Sequence, residues 1–399
     1  MAIDRRHFLR LAGAATLAPA LRTSAPAAPW GTAGGRLGAG GGAVADLDTA
    51  GGARRPWPGY ERALVVDALA SPGAFNVPDA VEGGLGTLSL GAARASGITA
   101  VNLTVGVVGE EPEPFVATVA GIARWERELD RHPDLFARIR SAEDVRVAKA
   151  AGRVGLVLGF QDTVMLEADL DRMDTFHALG VRVVQLTYNG RNRVGDGCLE
   201  PGNAGLSRFG HDLVSRMNDL GVLVDLSHCG QRTTAGGIAA SRVPPAVTHS
   251  ACDAVFAHPR NKRDEELRAL AEKGGVVGIY LMPYLNPSGP PTGDDVLRHV
   301  EHALDVCGQE HVGVGSDQSI TPVRDGPEYR ARLDAEVARR RELGISAPRE
   351  DTAPFVPELN HARRMEMIAD RMAARGHASG VIEKVLGANW MRLFTEVWR

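Results

Sequence analysis

Apolar and polar positions alternate along this chain on two length scales. Short, almost wholly apolar runs recur at 63–67, 98–104, 154–160, 181–187, 222–226, 245–248, 276–281 and 312–315. Between them lie stretches with helical spacing, such as Arg208–Leu220 behind the capping residue Ser207 and the segment opened by Asp264, with Glu265 and Glu266 in its first turn. Runs apolar on both faces predict strands buried on both sides, and eight of them separated by helices predict a (β/α)8 barrel of parallel strands. In such a barrel the C-terminal strand ends converge on one mouth, where residues distant in sequence become neighbours.

Several of these runs end on side chains that carry chemistry. Val222–His228 and Pro245–Ser250 each leave the strand with a histidine, His228 and His249. His258-Pro-Arg-Asn and Gly313-Val-Gly-Ser-Asp add Arg260 and Asp317. Imidazole is the commonest zinc ligand, so two histidines at strand exits, with a guanidinium and a carboxylate nearby, read as a metal site.

The 399 residues, 44% of them hydrophobic, suffice for one large barrel domain. A formal charge of −4 and a pI near 6.3 give no basic surface for nucleic acid, which leaves a small molecule as the expected partner. Arg5 and Arg6 precede a mostly apolar stretch from Leu11 to Leu21, the pattern of a twin-arginine export signal. That stretch falls short of the roughly 20 apolar residues a membrane-spanning helix needs. An Ala/Gly-rich linker follows, so the expected organisation is signal and linker over 1–55 and barrel over 56–399, with a periplasmic or extracellular location. The four cysteines, Cys198, Cys229, Cys252 and Cys307, form no Cys-x-x-Cys pair and read as buried thiols. The charged stretch 321–357 reads as a solvated surface insertion rather than a lid.

Ordered short matches make the chain resemble the membrane (renal) dipeptidase family, zinc hydrolases of the amidohydrolase type. They include Leu179-Gly-Val-Arg, Leu186-Thr-Tyr-Asn, Gly205-Leu-Ser-Arg-Phe-Gly, Asp225-Leu-Ser-His, Thr248-His-Ser, His258-Pro-Arg-Asn and Gly387-Ala-Asn-Trp. The resemblance implies two zinc ions: one on a His-x-Asp pair of the first strand, one on His228 and His249, and a third-strand glutamate bridging both. Here Leu69 and Ser71 stand at the His-x-Asp positions and Gln161 at the bridge. Leucine offers no lone pair, and the other two are neutral, so at most one zinc is expected, with Gln161 as a weak ligand. By the same resemblance Asp317 serves proton transfer, Arg260 the substrate carboxylate, and Tyr188 and Asn189 the substrate, with Tyr188 at the position of a catalytic histidine. The expected activity is hydrolysis of a dipeptide or small amide. The alternatives are a silent barrel that binds a peptide or amino-acid derivative, or a lyase or isomerase on the same scaffold. A homodimer is left open.

Overall fold

The computed structural model describes residues 56–73 and 84–398; the proposed export signal and linker over 1–55 lie outside them. Eight parallel strands form one continuous path: β1 Val66–Asp67, β2 Ala100–Thr104, β3 Val154–Phe160, β4 Val181–Gln185, β5 Leu223–Asp225, β6 Ala246–Ser250, β7 Val276–Ile279 and β8 Val312–Val314. The path closes because the Ala68 amide donates to the Val314 carbonyl at 3.0 Å. Just beyond, Ala70–Ser71 pairs in parallel with Gln318–Ser319 and carries the seam up to the mouth. The fold is a (β/α)8 barrel. One further strand, Phe136–Ile139, pairs with the lower half of β3 and shares that edge with β4, which takes over from Leu158.

Strand alternation divides the core in two. Val66, Ala100, Val157, Val183, Leu223, Ala246 and Val276 point inward and cluster with Trp390, Leu393 and Phe394 of the C-terminal helix Asn389–Val397. Their neighbours Val101, Leu158, Val184, Val224, Val247 and Val277 point outward against the surrounding helices. The C-terminal helix therefore plugs the barrel opposite the mouth. Local signals act where the pattern places them: Ser207 Oγ accepts from the Gly210 amide at 3.0 Å, and Gly221 ends that helix in the left-handed conformation.

The charged stretch does not behave as a free surface insertion. Its helix Pro327–Glu342 and the segment to Phe355 lie over the barrel mouth as a lid. Val337 is the helix's one buried side chain, so no apolar periodicity announces the docking. Among the described residues no helix is long and apolar enough to cross a membrane.

Candidate functional site

His228, just past β5, and His249, on β6, meet with their Nε2 atoms 3.0 Å apart. Their other ring nitrogens are anchored. Asn189 Nδ2 donates to the Ile345 carbonyl at 2.6 Å, which turns its Oδ1 toward His228 Nδ1, also at 2.6 Å. His228 Nδ1 therefore carries the proton. Thr248 Oγ1 lies 2.6 Å from Asp225 Oδ2 and 2.8 Å from His249 Nδ1. The Thr248 hydroxyl thus bridges the His249 ring and the Asp225 carboxyl, which burial raises. The two Nε2 atoms face each other across one gap, which takes a proton or a metal cation. Burial, reinforced by the charge of Arg260, pushes both imidazoles well below their ordinary range and disfavours the proton.

Arg260 is 2% exposed. Its Nη1 donates to the Ser227 carbonyl at 2.7 Å, whereas Nη2 is buried without a partner. An orphaned guanidinium nitrogen is costly unless an acceptor arrives, and a carboxylate is the acceptor that suits it best. Asp317 faces the same cavity, its amide bonded to the Leu69 carbonyl at 2.8 Å and its φ at +56°. Burial pushes its carboxyl up to about 7, against the opposing pull of Arg260 and Arg340. Tyr188 stacks on His228 with ring centroids 4.2 Å apart, and the Arg340 guanidinium covers the tyrosine ring at 5.3 Å. Gln161, Tyr188, His228, Arg260 and Asp317 thus share one cavity with Val337 and Arg340 of the lid. Its volume is ≈ 60 Å³.

The remaining predicted residues take other places. Leu69 is 1% exposed, and Ser71 pairs with Ser319 along the seam. Gln161 Nε2 donates to Thr104 Oγ1 at 2.8 Å. Asn189, expected against substrate, is fully buried with both ends of its amide engaged, so it positions His228. Asp162 accepts from the Gly109 and Thr163 amides and Asn192, and lines a separate, wider cleft. All four cysteines are free; burial raises the Cys229 and Cys307 thiols to about 11 and about 12, as suits inert groups. Sequence reading missed Arg340 and Glu350, which face each other across two hydrogen bonds of 2.8 and 2.7 Å above the cavity. Only their place in a charged run could have marked them.

His228 and His249 offer two zinc-type donors, and the opposite side of the mouth is neutral. Two imidazoles whose far nitrogens are held by an amide oxygen and a Thr–Asp pair have the outer support that metal-binding histidines need. Leu69, Ser71 and Gln161 supply no charge for a second ion. Among the described residues no group of three or more His, Cys, Asp or Glu side chains could hold a metal. The positive charges of Arg260, Lys262 and Arg340 act on His228, so a dication at the histidine pair enters against repulsion.

The family described as membrane dipeptidase, peptidase family M19, matches residues 71–342. Dipeptidase verJ of Clonostachys rogersoniana is 33% identical over 213 residues, 53% of this chain and 55% of that protein. Dipeptidase tcpJ of Claviceps purpurea is 28% identical over 270 residues, 66% of this chain and 63% of that protein. The chain spans between half and two thirds of the length of these curated relatives. Among solved structures, an amidohydrolase from Pseudomonas aeruginosa superposes with a TM-score of 0.72 at 30% identity, over 85% of this chain and 98% of that one. A metallo peptidase from Rhodobacter sphaeroides, liganded with a phosphinate mimic of the dipeptide L-Ala-D-Ala, shares the fold at a TM-score of 0.69 and 21% identity, over 84% and 99%.

Proposed function

The chain belongs to the membrane dipeptidase family, and from that premise we propose an exported, dipeptidase-like hydrolase acting on a dipeptide or small amide with at most one zinc ion. The observation that carries this reading is the buried Arg260 Nη2, unpartnered beside the cavity that Asp317 and His228 share. A ligand carboxylate satisfies that nitrogen and fixes the scissile amide near the histidine pair. Zinc held by His228 and His249 would supply Lewis acidity toward the amide carbonyl. Asp317, titrating near neutrality, holds a proton on its carboxyl oxygen; as a water adds to the amide carbonyl carbon and the C–N bond breaks, Asp317 gives that proton to the departing amine and takes one back from the added water, leaving a free acid and a free amine. Tyr188, clamped between Arg340 and His228, walls the cavity, and the lid keeps bulk water out.

The test is zinc-loaded protein assayed on a panel of dipeptides and their C-terminal amides. Hydrolysis of the free acids, poor hydrolysis of the amides, and a KM raised by Arg260→Met are expected. No turnover of any dipeptide by folded, zinc-loaded protein would overturn hydrolysis. The neutral groups at 69, 71 and 161 favour a second reading: a barrel that binds such a carboxylate without turning it over. Calorimetry showing dipeptide binding unaffected by chelator, with no product, would select it. Export rests on the Arg5-Arg6 segment. Lysine at both positions should keep a reporter fused to residues 1–55 inside the cell, and continued export of that variant would remove this part of the proposal.

A further inference from the structure

The lid touches the site at three separated points, and the contacts follow one pattern. The Ile345 carbonyl accepts from Asn189, whose other end faces His228 Nδ1. The Pro348 carbonyl accepts from His258 Nε2 at 3.0 Å, and His258 Nδ1 in turn accepts from the Arg260 amide at 3.1 Å. The Pro354 carbonyl accepts from Gln318 Nε2 at 2.6 Å, and Gln318 directly follows Asp317. Each lid carbonyl is thus one residue removed from a different member of the site.

We propose that Asn189, His258 and Gln318 are positioning residues through which closure of the 345–354 segment assembles His228, Arg260 and Asp317 for binding. This rests on the reading of the cavity as a ligand site and specifies when that site exists. The cavity beneath the lid, at ≈ 60 Å³, is far smaller than the roughly 300–1,000 Å³ of ligand-binding pockets, so a dipeptide enters only with the lid raised. Raising it takes from Asn189 the carbonyl that fixes its amide orientation. The amide is then free to rotate, and His228 loses the acceptor that keeps its proton on Nδ1. His258 loses its Nε2 acceptor and with it the posture that holds the Arg260 backbone. Gln318 loses its lid partner beside the left-handed Asp317. Loading with the lid open and assembly on closing is a way for binding energy to organise a site.

The test needs no turnover, so it stands apart from the fate of the hydrolase reading. Arg349 offers a handle outside the cavity. Its guanidinium ties the lid to the 283–289 loop through the Pro283, Pro287 and Gly289 carbonyls at 2.9, 2.8 and 2.7 Å, and it touches none of the three site residues. In full-length protein carrying 15N-labelled histidine, Arg349→Ala and Gln318→Ala should each speed solvent exchange of the His228 ring N–H by at least about tenfold, the scale of losing one or two buried hydrogen bonds. Backbone amides of 343–355 should exchange faster in step, with the thermal midpoint of the barrel retained. Faster lid exchange with an unchanged His228 signal would overturn the proposal, because the lid would then open without the site responding. An unchanged lid in the Arg349→Ala/Gln318→Ala double variant would overturn it as well, since these bonds would not be what holds it shut.

Discussion

The two sides of the barrel mouth face one cavity and follow opposite rules. On the fifth- and sixth-strand side, His228 and His249 converge with every supporting group in place: Asn189 on one ring, Thr248 and the buried Asp225 on the other. On the first- and third-strand side the groups are neutral or satisfied from within. Leu69 is apolar, Ser71 lies along a strand pair, and Gln161 is bonded to Thr104. The first-strand carboxylate, Asp67, accepts from the Ser316 amide and hydroxyl at 2.7 and 2.6 Å and pairs with the buried Arg364 at 3.3 Å. Polarity on the first side is organised outward, toward the gap that the two Nε2 atoms share. On the second it is organised inward, toward closing the barrel seam. A metal site can therefore lose one half without the fold noticing, provided the lost half's remaining charge finds a structural partner.

Restoring the missing groups would break this asymmetry with the largest effect. Leu69→His, Ser71→Asp and Gln161→Glu together should raise zinc from at most one to two per chain. Each added carboxylate attracts a dication by about 8 kcal/mol at ~4 Å and an effective dielectric near 20, from which the cost of desolvating the charges is subtracted. Plasma mass spectrometry reads the stoichiometry, and an unchanged count in a folded triple variant would show that something other than the lost ligands limits occupancy. Next in size is the seam. Arg364→Met leaves Asp67 charged and unpaired in a buried place, so unfolding free energy from urea titration should fall by about 3–5 kcal/mol. A loss under about 1 kcal/mol would mean that the pair carries little of the seam.

Much of the fold was legible because buried parallel strands announce themselves as apolar runs, and all eight expected strands coincide with strands on the barrel path. Phe136–Ile139 was not, because four residues interrupted by Arg138 do not make such a run. The convergence of His228 and His249 followed from barrel geometry alone. Their hydrogen-bond supports did not, since Asn189 depends on a carbonyl 156 positions away; nor did the seam, where Asp67 depends on an arginine 297 positions away. The lid was misread as wet surface for a related reason. It docks through backbone carbonyls, arginines and a few scattered apolar residues, Val337, Ile345, Ala347 and Phe355, which together leave no hydrophobic periodicity.

Asp317 sharpens the comparison through pH. Its carboxyl, raised by burial to about 7 from 3.8, keeps a proton in the folded chain that the unfolded chain has already released. The stability it contributes is complete below about pH 4 and is lost as pH rises through 7, up to an amount on the order of 4 kcal/mol. Asp317→Asn cannot ionise. Its thermal midpoint relative to the unaltered protein should therefore climb between pH 5 and pH 8. A difference constant across that interval would place the carboxyl in the ordinary range.

The smallest expected effect bears on whether the intact side is organised for a metal. Asn189→Ala removes the oxygen that holds the His228 Nδ1 proton and leaves both imidazoles in place. If the side is built outward as argued, zinc affinity measured by competition with a chromogenic chelator should fall by about 10- to 100-fold, the usual cost of removing such a support. A merely structural asparagine would lower the unfolding midpoint instead and leave zinc affinity unchanged in the folded fraction. Asn189→Asp separates the two further: a carboxylate still accepts from His228 Nδ1 but cannot donate to the Ile345 carbonyl. Zinc affinity should therefore survive in that variant while the lid loosens, which divides the histidine's support from the lid's.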